Sequence, residues 1–247
     1  MIISETTWRE KFIARLRKIN EAAVATVQEY LTGHSLITLQ DWNALIDYAY
    51  SVSSAYGESA ASIACEFYDA VAVASGINVL AATPAETATY QEVAKAIRGT
   101  GKTGNTDLMA SAVGRMVKMA GVDTTMQNAL RDGAEWAWIP SGDSCALCLV
   151  MASRGWQKAT KSAIKKGHAS HIHANCDCSY AVRFDSETTV AGYDPESLQY
   201  IYEQAGGDNV RDKTNSIRRG LYLYNKDKIN EQKRQNYADR IARETTE

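Results

Sequence analysis

The chain reads as a mainly α protein, with an N-terminal helical array, a small α+β module and a helical C-terminal tail. Three observations predict this. Apolar residues recur every three or four positions through the first 133 residues. Only Pro84, Pro140 and Pro195 interrupt 247 residues, so helix breakers are scarce. The period shortens to two near 135–140 and 178–184, and these stretches flank a concentration of cysteine and histidine. The expected divisions are 1–133, 134–190 and 191–247.

Thr7 and Glu10 have capping-box spacing. Trp8, Phe12, Leu16, Ile19, Ala23 and Val27 then mark one face of a helix ended by Gly33. His34 reads as a solvated turn residue. Thr38-Leu39-Gln40-Asp41 starts a second helix, with Trp42, Leu45, Ile46 and Ala49 as its stripe. A separate helical stretch carries Ile63, Phe67, Tyr68 and Val71, with Gly76 as C-cap. Cys65 within it reads as a small buried residue. Thr83-Pro84-Ala85-Glu86 is the clearest helix start: an N-cap, proline at the first helical position and glutamate at the third. Tyr90, Val93 and Ile97 follow. Thr106 and Asp107 open a helix ended by Gly121, and Asp123 caps a short one ended by Gly133.

Gly99-Thr100-Gly101-Lys102-Thr103 resembles the end of a P-loop. The full pattern needs a glycine where Ala96 stands, and a strand before the loop where this chain has a helical pattern. A flexible turn is the expected role.

Trp136 and Trp138 share one face of a predicted strand, and Leu149 to Ala152 form a short helix broken at Arg154-Gly155. Lys158, Lys161, Lys165 and Lys166 make the following spacer basic. A solvated face is the plainer reading, with nucleic-acid contact as the functional one. Residues 178–184 alternate as a strand, Asp194-Pro195-Glu196 starts a helix stopped at Gly206-Gly207, and one or two exposed helices follow. From Arg211 to Glu247 ten Lys or Arg stand against six Asp or Glu.

Composition sets outer limits. The chain is 45% hydrophobic and 23% charged with net charge -2, which gives no argument for a nucleic-acid partner. No apolar run approaches the roughly 20 residues that span a bilayer, and no internal repeat of fixed period occurs. The first residues lack a basic leader and apolar core, so a reducing compartment is expected. There metal ligation is a better use of clustered cysteines than disulfides.

The central chemistry lies in Cys145-x-x-Cys148 and, after a spacer, His173-x-x-Cys176-x-Cys178. Thiolate and imidazole in such a pattern suit tetrahedral zinc. Cys145 and Cys148 share a turn, while Cys176 and Cys178 point to one side of a strand. Five candidates, Cys145, Cys148, His173, Cys176 and Cys178, compete for four places. His168 and His171 read as exposed histidines. The module is therefore zinc-knuckle-like, and the zinc is structural. A catalytic zinc needs an open position and a general base. Asp143 and Asp177 are the only neighbouring acids, and neither sits in a zinc-hydrolase frame. His173-Ala174-Asn175 resembles part of a His-Asn-His nuclease site, but no histidine follows it. No catalytic residue is assigned, and an enzyme is not expected.

Trp138-Ile139-Pro140, Cys145-Ala146-Leu147-Cys148, Met151-Ala152-Ser153-Arg154-Gly155 and His173-Ala174-Asn175-Cys176-Asp177-Cys178 resemble the minor head proteins of tailed bacteriophages, the MuF-like minor capsid proteins. Glu66-Phe67-Tyr68-Asp69, Gly192-Tyr193-Asp194-Pro195 and Asp227-Lys228-Ile229-Asn230 agree with this. The resemblance implies a virion protein of the capsid interior or portal vertex, present in host cytoplasm during assembly. It implies a role in head morphogenesis, with the portal or major capsid protein as partner and double-stranded DNA as a further one. The alternatives are a DNA-binding head protein and a zinc-dependent nuclease or hydrolase.

Overall fold

A computed structural model describes the backbone of residues 6–141, 144–160 and 178–244, and the side chains of all of these except 6–8 and 236–244. Among the described residues there are eight helices and three strands, so the chain is mainly helical with one small sheet. No described helix is long and apolar enough to cross a membrane. Contacts divide the chain into two units. One comprises Met1–Ser141 with Trp156–Tyr193, and the other Gly142–Gly155 with Asp194–Glu247. The segment 134–190, expected as one module, contributes to both.

The first unit is built on α1 (Thr6–Gly33), α2 (Leu39–Ala74), α3 (Tyr90–Gly101) and α4 (Thr106–Asp132). α2 and α4 form its most extensive helix pair, with α1 and α3 packed against both. The core between them contains Ala23, Val27, Leu45, Ile46, Val93, Ile97, Met109 and Val113. α2 begins at a complete capping box, Thr38 with Asp41, whose carboxylate is held below its ordinary range by hydrogen bonds from Thr38 and Ile37. Its C-terminus closes as a Schellman turn. Gly76 takes φ +68, the Ile77 N–H donates to Ala72 O at 3.0 Å, and the Gly76 N–H donates to Val73 O at 3.0 Å.

Four expectations are corrected here. The two stretches assigned to 39–49 and 63–71 are one 36-residue helix. Small residues bridge them, and at Gly57 an added Cβ would stand 2.9 Å from Thr87 Cγ2. Gly121 does not end a helix. It lies inside α4, where an added Cβ would stand 3.3 Å from the Tyr180 hydroxyl. The glycine is a point of close approach, and Asp123 is a mid-helix residue rather than a cap. Residues 99–101 belong to the last turn of α3, where a Cβ on Gly101 would collide with the Trp42 ring.

The fourth correction concerns Thr83-Pro84-Ala85-Glu86, which starts no helix. Residues 77–89 run without helix, and α3 opens at Tyr90 under a second capping box, Thr89 with Glu92. Side chains from α2 and α4 hold the non-helical strap. The Ala82 N–H donates to Asp69 Oδ1 at 2.8 Å, the Thr83 N–H to Asn128 Oδ1 at 3.0 Å and the Ala85 N–H to Thr124 Oγ1 at 2.9 Å. Arg131 donates to Leu80 O and Ala81 O, and also pairs with Asp132 at 2.7 Å. Asp132 accepts the hydroxyl of buried Tyr68 at 2.9 Å. Buried polar groups and backbone amides thus satisfy one another, and the tertiary bonds override the local helix signal.

The sheet has strand order β2-β1-β3, all antiparallel, formed by β1 (Glu135–Ile139), β2 (Gln157–Lys158) and β3 (Ser179–Arg183). Trp136 and Ala137 are both buried, as are Trp138 and Ile139, so β1 is covered on both faces. Tyr180 packs edge-on against Phe12 and Phe67, which stack on each other at 4.0 Å, and Phe184 meets Tyr68 edge-on. At the end of the sheet Arg183 pairs with Glu135 at 2.6 Å and lies 4.5 Å over the Trp156 ring.

The second unit comprises α5 (Ala146–Ala152), α6 (Pro195–Gln204), α7 (Val210–Tyr224) and α8 (Lys226–Glu244). Asp194 caps α6 through the amides of Glu196 and Ser197. The buried cluster here is Ala146, Val150 and Ile217, with Leu149, Tyr202, Ala205 and Leu221 packed around it.

Candidate metal centre

The two surest ligand candidates occupy the entry to α5. Cys145 is the N-cap, with extended backbone at φ -75 and ψ 164. Its Sγ accepts the Cys148 N–H at 3.4 Å. Cysteine thus takes the place that serine, threonine or aspartate usually fills at a helix start. An N–H aimed at sulfur favours the thiolate, the form that binds metal. Cys145 is half-buried and Cys148 is buried.

The helix that carries them is fixed from both ends. Ala146 and Val150 anchor it on Ile217. Ser153 closes it, its N–H donating to Leu149 O at 2.8 Å, and Gly155 at φ +66 turns the chain away. The expected break at Arg154-Gly155 is found there, although the helix starts at Ala146, ahead of Leu149.

Cys178 is buried, directly ahead of β3, in the first unit, whereas Cys145 and Cys148 belong to the second. His173 and Cys176 lie outside the described residues, as do His168, His171, Lys161, Lys165 and Lys166. Among the described residues no three His, Cys, Asp or Glu side chains gather as a metal site requires. The donors that are described, thiols paired on one turn, have the softness zinc selects. Lys158 is exposed on β2, where it pairs in register with Glu135. Cys65 is half-buried on α2, and burial with nearby Asp69 pushes its thiol up, away from reactivity.

One charged feature has no counterpart in the sequence motifs. A cleft of about 720 Å³ runs between the strap, α3 and α4, lined by Met116, Met119, Ala120, Glu92, Arg115 and Asp123 among others. Burial, followed by the charge of Glu92, raises the Asp123 carboxyl to about 6. Its spacing suggested a helix cap, so nothing local marked it as an acid set among methionines.

The family model described as VG15 protein matches residues 3–205 of the chain. No curated protein and no solved structure matches it.

Proposed function

The chain belongs to the VG15 protein family, a family of viral gene products, and from that premise we propose that it is a minor head protein of a tailed bacteriophage. In this reading it joins the capsid interior or the portal vertex during head assembly. The observation that carries it is the extent of the family match, residues 3–205, which takes in the whole cysteine–histidine stretch. The MuF-like motifs around Cys145-Ala146-Leu147-Cys148 and His173-Ala174-Asn175-Cys176 support the finer assignment.

The proposed role is structural. Zinc held by Cys145 and Cys148 with two of His173, Cys176 and Cys178 would supply a cross-link, not a reaction. The Cys145–Cys148 turn fits it, because both thiols sit on one helix entry and an amide is already directed at sulfur. Among the described residues, the buried apolar side chains of the second unit are Ala146, Cys148, Val150, Met151, Ala152 and Ile217. A small unit of this kind commonly relies on a metal, a disulfide or a partner.

Two experiments test this. Co-expression with the portal protein encoded by the same phage should give a complex that purifies together. Heads that assemble, package and infect normally without the protein would overturn the assignment. Protein purified without chelator should carry zinc near one equivalent, and Cys145→Ser should lose it. Metal-free protein with unchanged helical content and stability would remove the zinc from the reading and leave the virion role to the first test.

A further inference from the structure

α3 has two complete start signals, and the structure uses the second. Thr83-Pro84-Ala85-Glu86 offers an N-cap, a proline at the first helical position and a glutamate at the third. Six residues later Thr89 and Glu92 form the box in use. There the Thr89 N–H and hydroxyl both donate to Glu92 Oε2, at 2.8 and 2.9 Å. Nothing in residues 84–89 forbids helix, since the one proline stands where a helix accepts it.

What separates the two starts is tertiary. The Ala85 N–H is held by Thr124 Oγ1, while Thr83 is held at both ends by Asn128. Its N–H donates to Asn128 Oδ1, and its carbonyl accepts from Asn128 Nδ2 at 2.8 Å. Thr124 and Asn128 are almost wholly buried, at 0% and 1% exposure. They are polar side chains spent on the strap and on their own helix.

The direction of the chain makes a switch between the starts geometrically simple. Thr83 meets Asn128 and Ala85 meets Thr124. Thr87 to Thr89 then line the cleft beside Ala120 and Met119, and α3 continues past Met116 and Ala112. Strap and α3 therefore advance the same way, antiparallel to α4, and a longer α3 would grow back along the strap's own track. Extended, residues 84–89 span about 20 Å, and as helix about 9 Å. That shortening falls on the preceding residues, which must give up the bonds from Arg131 to Leu80 O and Ala81 O, from Ala82 N–H to Asp69 and from Gln127 to Thr83 O. Leu80 is 74% exposed and Ile77 is 42% exposed, so the strap's first half has no large side chain seated in the core and is held through its backbone by Asp69 and Arg131. The present seat fits only an extended chain, because Thr87 Cγ2 would stand 2.9 Å from a Cβ at Gly57 and a helix is about 10 Å across.

We propose that residues 84–89 are a stored N-terminal extension of α3, clamped open by Thr124 and Asn128, and that release of the clamps moves the helix start from Tyr90 to Pro84. The move lifts the strap off Gly57 and uncovers the groove between α2 and α4 beneath it. It is a two-state element with one helix boundary in each of two places.

The test uses the full chain carrying Thr124→Val with Asn128→Leu, and separately Gly57→Ala, which crowds Thr87 Cγ2 at 2.9 Å and meets Ala120 of α4 only at an ordinary contact distance of 3.6 Å. Backbone 13Cα shifts and amide exchange of residues 82–89 are read. The expected result is helical Cα shifts at Ala85 and Ala88, with new protection of the Thr87, Ala88 and Thr89 amides. Protection at Thr83 and Ala85 should be lost at the same time. Adding Thr83→Ala and Glu86→Ala, which deletes the stored cap, should cancel the helical shifts. Loss of protection across 82–89 together, with coil shifts at both alanines, would overturn the proposal, as would an unmoved strap. If the double variant does not fold, the Gly57→Ala readout decides by the same criteria.

Discussion

Both units of the chain contain helices, and they differ in what those helices bury. In the first, α1 to α4 close over a continuous core in which Leu45, Ile46, Val93, Ile97 and Val113 have no exposed surface. In the second, α7 buries only Thr214 and Ile217, and α6 buries nothing. Helices in proteins are held mainly by burial of a face rather than by propensity. The first unit meets that condition from its own residues. Among the described residues of the second, burial is concentrated in α5, where Ala146, Cys148, Val150, Met151 and Ala152 are buried, and α5 carries the Cys145–Cys148 turn.

Substitutions in each unit should separate the two in stability. The largest effect is expected from Leu45→Ala, which opens a cavity in a fully buried site. A loss of about 2–5 kcal/mol is expected in denaturant unfolding. A much smaller loss would mean that the first unit is not the stable one.

Asp123→Asn probes a weak point inside that unit, with the opposite sign. The folded carboxyl titrates at about 6, above its ordinary value near 3.9. The folded state therefore takes up a proton that the unfolded state takes up only at lower pH. Stability should rise as pH falls from above 6 toward 4, then level off. The substitution should stabilise the protein by on the order of 1–3 kcal/mol at pH 8 and have little effect at pH 4. Urea melts at the two pH values measure both.

Ile217→Ala is the counterpart of Leu45→Ala in the second unit. Its thin surroundings can close over the gap, so the expected cost is about 1–2 kcal/mol, at or below the low end for such changes. Exchange should rise in α5 and α7 while α2 and α4 stay protected. Arg15→Ala breaks an exposed pair with Glu66 and should shift the melt by about 0–1 kcal/mol. A larger shift would mean that the outer face of α1 and α2 contributes more than surface charge.

Much of this architecture was legible in the sequence. The stripe from Phe12 to Val27, the Thr38–Asp41 box, the cap at Gly76 and the strands at 135–139 and 179–183 follow from period and local chemistry. The misreadings share one cause. Gly121 looks like a helix stop because nothing in its neighbourhood announces Tyr180, which arrives from 59 residues downstream to occupy the missing Cβ. Thr83-Pro84-Ala85-Glu86 looks like a helix start because the amide acceptors Thr124 and Asn128 are supplied by another helix. Local rules see the capping residue but not its competitors. At the candidate metal site, spacing identified Cys145 and Cys148 as members of one turn. It did not indicate that Cys145 would itself be the cap.

The length of α2 also limits how such a chain can change over generations. Thirty-six residues in one helix make a rod of about 54 Å, with Leu45, Ile46 and Ala49 buried near one end and Phe67, Tyr68 and Val71 near the other. A single inserted or deleted codon between them would turn one set by about 100° relative to the other, taking either the core or the ring stack on Tyr180 out of phase. Length variation in this rod is therefore quantised. Whole-turn steps, matched by equal steps in α4, are the ones a descendant can survive.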